Sequence, residues 1–191
     1  MRRFTVILLL WACLAACTDN RRTHQELVTE YYSAFNAADF ERLSTLIADS
    51  ITIIEGEFVS PYDVESFYEQ FKWDSVFQPT YEIVDLVEQG DQIIATVSSS
   101  SVRYKFLKND PLTTVYKISF KADDITKLEV IDYVEPDWNT WQQERDTLVK
   151  WIQENHPELD GFIYDLSMEG ALNYLKAIEQ YENRLQLPDS I

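Results

Sequence analysis

Three polar-tipped residues stand where chemistry could be done: Tyr31, Glu55 and Tyr116. Tyr31 lies midway between Leu27 and Phe35 at four-residue spacing, so on a helix it shares their apolar face. Two-residue alternation places Glu55 with Ile51 and Ile53, and Tyr116 with Ile118 and Phe120. A carboxylate in such a hollow is desolvated, its proton affinity rises, and it can act as a base near neutral pH. Tyrosine hydroxyls can donate to the oxygen of a developing enolate. The trio therefore suits proton abstraction beside a carbonyl. The same residues also read as plain structure. Ile54 is apolar too, so the strand does not choose its face, and Glu55 precedes Gly56 as at a solvent-exposed strand end. A buried tyrosine commonly does no more than satisfy its own hydroxyl.

Other chemistries have fewer residues to work with. The chain has 2 histidines, His24 near the start and His156 beside Pro157, so a histidine-based metal cluster or pocket pair is not expected. Ser98 to Ser101 have no histidine partner and read as a solvated strand centre. The acids of "KADDITKLE" read as a turn rather than a calcium loop, and Asp132 as a surface charge near the end of the last strand. No metal and no cofactor is expected.

The elements that must position the trio follow from periodicity. "THQE" is a capping box, Thr23 with Glu26, and opens a helix whose apolar face is Leu27, Tyr31 and Phe35. Asn36-Ala37-Ala38 makes a corner. Asp39 is the predicted N-cap of a second helix facing inward with Phe40, Leu43, Leu46 and Ile47. "SITIIEGEFV" reads as one strand, after which Ser60 and Pro61 open a third helix bearing Phe67 and Phe71. The period then becomes two. "PTYEIVDLVE", "DQIIATVSSSSVRYKF", "LTTVYKISFK" and "ITKLEVIDYV" are four strands joined by short turns, which implies antiparallel neighbours. From Pro136 two amphipathic helices follow, one with Trp138, Trp141, Leu148, Trp151 and Ile152, the other with Leu175, Ile178, Tyr181 and Leu185. Such faces must be buried, on the sheet or on another chain.

The first residues form a targeting segment. Arg2 and Arg3 precede the apolar run "FTVILLLWACLAA", which is short for a membrane span. The run ends in "LAAC", Leu14 to Cys17, which resembles the lipobox of bacterial lipoproteins. That resemblance implies cleavage after residue 16 and acylation, palmitate included, at Cys17. Several acyl chains on one residue anchor stably at about 0.8 kcal/mol per buried CH₂. Cys13 would leave with the signal, so the mature chain holds one lipidated cysteine and no disulfide. Thr18 and Asp19 follow the cysteine, and in enteric lipoproteins the lack of an aspartate directly after it favours the outer membrane. The formal net charge of −17 becomes more negative once Arg2 and Arg3 are lost, a surface that repels nucleic acid and anionic headgroups.

The stretch "EYYSAFNAADFERLSTLIADSITIIEG", with the later helix and four long strands, resembles the SnoaL-like branch of the nuclear transport factor 2-like superfamily. The resemblance spans Leu27 to Val134. It implies an α+β cone, with three N-terminal helices packed on a curved antiparallel sheet around a pocket. The superfamily holds isomerases, cyclases, dehydratases, hydrolases and non-enzymatic binding domains, so the fold leaves function open. Aligned through "NAAD", Tyr31 falls on the oxyanion-donor tyrosine of ketosteroid isomerases and Glu55 on their general-base aspartate. Their second acid falls near Tyr116, so the third position is altered. The Asp-Arg-Asp pattern of epoxide hydrolases is not evident, since Tyr104 and Lys105 follow Arg103.

The expected division is a signal peptide over 1–16, a lipidated tether over 17–23, the cone over 24–135 and a helical extension over 136–191. The leading expectation is an envelope lipoprotein whose pocket, lined by Tyr31, Phe35, Glu55, Phe67, Tyr116 and Ile118, binds a small apolar ligand or an envelope partner without catalysis. One rival is an isomerase- or cyclase-like enzyme with Glu55 as base. Another is a docking module built on the tryptophan-rich helices. A homodimer stays open beside an envelope partner.

Overall fold

A computed structural model describes residues 22–184. The expected signal segment, Cys17 and Leu185 lie outside these described residues. The elements run α1 (His24–Asn36), α2 (Phe40–Ser44), β1 (Ile47–Glu55), β2 (Phe58–Asp63), α3 (Val64–Ser75), β3 (Thr80–Gln89), β4 (Gln92–Ser100), α4 (Val102–Phe106), β5 (Leu112–Lys121), β6 (Asp124–Val134), α5 (Trp138–Asn155) and α6 (Met168–Asn183). The strands form one sheet in the order β2-β1-β6-β5-β4-β3. Every neighbouring pair is antiparallel except β1 and β6, which run parallel. The sheet is therefore mixed at one junction, where consecutive short connections gave no warning.

The local chemistry explains most boundaries. Thr23 and Glu26 close the capping box at the start of α1, and the Asp39 side chain accepts from the Arg42 N–H at the start of α2. The second helix is only one turn long, and Leu46 and Ile47 already belong to the approach to β1. Two expectations are corrected. "SITIIEGEFV" is a hairpin, not one strand: β1 pairs with β2 from Glu55↔Phe58 to Ser50↔Asp63. Gly56 turns the chain at φ +59°, a conformation that costs glycine little. Ser60 and Pro61 sit inside β2, and the N-cap of α3 is Asp63, whose carboxylate accepts from the Ser66 N–H at 2.8 Å. Proline is tolerated there because β2 is an edge strand.

The third correction shapes the site. The stretch read as a strand through Phe106 stops at Ser100, and residues 102–106 form α4. Ser101 caps it by accepting from the Tyr104 N–H at 3.1 Å, while Asp110 takes the Ser100 hydroxyl at 2.6 Å and the Ser101 N–H at 3.1 Å. Ser99 and Ser101 are buried, so the serine run is not solvated along its whole length.

Two apolar cores result. The first lies between α1, α2, α3 and the sheet, and includes Leu27, Tyr31, Leu43, Ile51, Phe67, Phe71, Ile93, Val97 and Ile118. The second joins the end of α3 and α4 to the last two helices, with Trp73, Phe77, Phe106 and Leu107 meeting Leu148, Ile152, Tyr174 and Ile178. The face expected on the sheet or on another chain is thus covered by α3 and α4. Asn109 ties the two parts through polar bonds. It is buried, donates to the carbonyls of Leu107 (3.1 Å) and Asp137 (3.0 Å), and accepts from the Asp137 N–H at 2.8 Å. Trp141 and Trp151 pack against the second core, while Trp138 keeps 42% exposure. Among the described residues no helix is long and apolar enough to cross a membrane.

Candidate functional site

A cavity of about 200 Å³ opens between the helices and the inner face of the sheet. Helix α1 contributes Tyr31, Tyr32 and Phe35 to its wall, because adjacent positions 31 and 32 both fall on the inward half of the helix. Helix α3 contributes Phe67, Gln70, Phe71 and Asp74, which follow one another at i, i+3, i+4 and i+7. Ile53, Tyr81, Ser99, Tyr116 and Leu128 close the sheet side. Helix α4 brings Arg103 and Tyr104. The aromatic rings pack edge to face or tilted, as between Tyr31 and Tyr32 at 5.2 Å and between Phe35 and Phe71 at 5.3 Å.

Of the predicted pocket residues, Tyr31, Phe35, Phe67 and Tyr116 line this cavity. Two are corrected. Ile118 is fully buried within the first core and lies behind the wall. Glu55 is exposed at the end of β1, just before the Gly56 turn, and its Oε1 accepts from the Tyr133 hydroxyl. Glu55 reaches the cavity only through its field, which adds to the burial that raises the Tyr104 and Tyr116 hydroxyls. The structure brings Tyr31 and Tyr116 to one hollow and leaves Glu55 outside it.

The carboxyl of the cavity is Asp74, which is half-buried. Its Oδ2 accepts from the Tyr81 hydroxyl at 2.5 Å. Burial pushes the Asp74 carboxyl up, and the Tyr81 hydrogen bond and the Arg103 charge pull the other way without cancelling it. Burial also raises Tyr31, Tyr32 and Tyr116 far above the ordinary phenol value, so these hydroxyls keep their protons and serve as donors. Arg103 is the cation of the site. Its guanidinium carbon lies 4.8 Å from the Trp73 ring centre and 5.3 Å from those of Phe77 and Tyr104. Burial works against its charge, but Tyr104 and Asp74 outweigh that effect, so it stays a cation. Among the described residues, two buried side-chain polar atoms have no partner: the Tyr32 hydroxyl and the Arg103 Nε. Chemically the wall can hold a polar group, donate several hydrogen bonds, and accept a proton at Asp74. Among the described residues no cluster of acids, histidines or cysteines could hold a metal ion.

Asp74 makes a pH-dependent contribution whose sign follows from its raised value. The unfolded chain releases this proton near the ordinary aspartate value of about 3.9. Below that value both states are protonated and the full stability is present. As pH rises through it and then through the higher folded value, the folded state loses stability. Asp74→Asn keeps the shape and the acceptor for Tyr81 but cannot ionise. Its urea midpoint is expected to exceed that of the wild type at about pH 7 and to converge with it near pH 3. A wild type that is the more stable of the two at neutral pH would contradict this assignment.

Asp74 had a visible signal in the sequence, an acid on the same helical stripe as Phe67 and Phe71. Arg103 was hidden by the strand reading. Alternation continued past Ser101 sends Arg103 and Lys105 inward together, and two cations on one apolar face mark a strand that has already ended.

Helices on a curved six-stranded sheet, with a cavity between them, make the α+β cone of nuclear transport factor 2-like proteins, and this chain has that fold. Solved structures similar in fold include a protein from Kribbella flavida, 12% identical, covering 64% of this chain and 93% of the other with a TM-score of 0.50. An NTF2-like protein from Cytophaga hutchinsonii is 14% identical, covering 61% of this chain and 94% of its own, with a TM-score of 0.49. A protein of ketosteroid isomerase-like fold from Catenulispora acidiphila, crystallised with trimethylamine, is 14% identical, covering 63% and 95%, with a TM-score of 0.48. More than a third of the present chain lies outside each match. No protein-family model and no curated protein matches the chain.

Proposed function

We propose that this protein binds a small, largely apolar molecule in the cone cavity, and that it does so without catalysis. The observation that carries the reading is the cavity itself, aromatic on most sides and about 200 Å³ in volume. An apolar cavity of about 150 Å³ accommodates benzene, so a single ring with a short substituent is the matching size. Glu55 as a general base lacks this support, because it is exposed at the strand end and bonded to Tyr133. Of the three tryptophans that motivate the docking reading, Trp138 is the exposed one, because Trp141 and Trp151 pack within the monomer.

The test uses a variant that fills the hollow. Ser99 is buried on the sheet side of the cavity, and Ser99→Leu takes up its space. Ring-sized fragments are expected to raise the melting temperature of the wild type with the logarithm of their concentration once it exceeds the Kd, and to lose this effect in Ser99→Leu. No shift with any fragment, or equal shifts in both proteins, would remove the reading.

The same proposal places the protein at a bacterial envelope through lipidated Cys17, with the outer membrane as the favoured side. Support comes from the order Arg2-Arg3, apolar run and "LAAC" in the sequence. Cys17→Ala is expected to abolish acyl labelling and release the protein from the membrane fraction. Labelling that persists in this variant would refute the anchor.

A further inference from the structure

The two unpartnered buried atoms at the cavity are unequal in kind to a random pair of orphans. The Arg103 Nε can only donate a hydrogen bond, and the Tyr32 hydroxyl, held firmly protonated, has its proton unspent. Buried donors without acceptors are costly, and a folded chain that keeps them at a cavity is short of acceptors there. Arg103 also lacks a counter-ion in contact. Among the described residues it forms no ion pair, although other cations do, such as Lys117 with Glu129 at 2.8 Å. The carboxyl beside it, Asp74, already accepts from Tyr81 at 2.5 Å. Trp73, Phe77 and Tyr104 surround the guanidinium with ring faces, which hold a cation in place. The Tyr104 hydroxyl offers the guanidinium an oxygen, and the Nε stays unpaired.

We propose that the ligand of this cavity is a small carboxylate with a flat apolar body of about one ring, its carboxylate seated on the Arg103 guanidinium and its ring among Tyr31, Phe35 and Phe71. The inference rests on the binding reading above and names the ligand class that reading leaves open. A carboxylate brings acceptors only, and a guanidinium presents its donors in the planar fork that matches it. A neutral ligand could offer Arg103 an acceptor but no opposite charge. A cationic ligand would face Arg103 directly and would have to displace Tyr81 from Asp74. Lysine in place of Arg103 would keep the charge but lose the fork.

Benzoate, benzamide and benzylamine separate these alternatives, since they share one ring and differ in charge. Calorimetric titration of the full chain is expected to show benzoate binding about tenfold or more tightly than benzamide, with benzylamine weakest. In Arg103→Met the ratio of benzoate to benzamide affinity should fall to about one. In Arg103→Lys it should fall only in part. Should Arg103→Met fail to fold, the wild-type comparison and Arg103→Lys still decide. Benzamide binding as tightly as benzoate, or benzylamine binding best, overturns the carboxylate assignment and leaves the binding function standing. Binding of none of the three overturns the inference, while ring-sized fragments that still stabilise the wild type and not Ser99→Leu would preserve the broader reading.

Discussion

Alanine at Gly170 is expected to destabilise the protein by about 2–4 kcal/mol, although alanine is the better helix former. Gly170 is buried in the first turn of α6, where its N–H donates to the Ser167 hydroxyl at 3.2 Å. A Cβ at this position would stand 2.1 Å from the Asp165 carbonyl oxygen and 2.5 Å from the Asp165 Cβ. Those are backbone and near-backbone atoms, so no flexible side-chain end can swing away. The same carbonyl accepts from the Trp73 indole N–H at 3.3 Å. Relief of the clash therefore either lifts α6 from the second core or breaks this bond to α3. The helix-propensity gain of about 1 kcal/mol cannot offset that displacement. Urea unfolding monitored by circular dichroism checks the value. Glu169→Ala, one residue earlier and exposed, is the control and should change stability by no more than about 1 kcal/mol. A Gly170→Ala protein as stable as this control would mean that α6 does not sit as close to Asp165 as described.

The contrast between Gly170 and the cavity shows what the sequence made legible. Elements with strong local signals were readable: the Thr23–Glu26 capping box, the Asp39 cap, the alternation of β4 and the amphipathic faces of the last two helices. Their hydrogen bonds and apolar faces are set within a few residues, so periodicity records them. The hairpin at Gly56 was missed because apolar residues on both sides of "EGE" resemble one continuous strand. The α4 turn was missed because a single serine cap, Ser101, outweighed an otherwise strand-like stretch. That error carried over to the site, because α4 is the element that presents Arg103 and Tyr104. Face alone sends Tyr31, Phe35, Phe67 and Tyr116 inward, where they line the cavity, whereas the place of Glu55 depends on the position of the turn, a feature set by pairing between strands. The partnership of Asp74 with Tyr81 and Arg103 spans three elements, and no spacing along the chain encodes it.

Phe77→Ala is expected to have the largest effect of all, about 3–5 kcal/mol, and to reach the cavity as well as the core. Phe77 has 1% exposure and is among the largest fully buried side chains. Its ring meets Trp73 at 5.0 Å and Tyr174 of α6 at 5.5 Å, and lies 5.3 Å from the Arg103 guanidinium. Its carbonyl accepts from the Val102 N–H at 3.0 Å, at the start of α4. Removing the ring thus leaves a void where the cone, α4 and the extension meet. Because Phe67 and Phe71 of α3 belong to the first core and Trp73 of the same helix to the second, α3 is common to both. The chain should consequently unfold in one transition, with near- and far-ultraviolet circular dichroism coincident in wild type and variant. Leu148→Ala separates stability from site geometry. Leu148 is fully buried in the same core, and its loss should cost about 2–5 kcal/mol. Both variants should shift the urea midpoint, but only Phe77→Ala should also weaken benzoate binding under conditions where the protein stays folded, since only Phe77 lies against Arg103. Two separate transitions would show that the extension unfolds apart from the cone, and equal effects of the two variants on benzoate affinity would show that Phe77 supports Arg103 no more directly than the rest of the second core does.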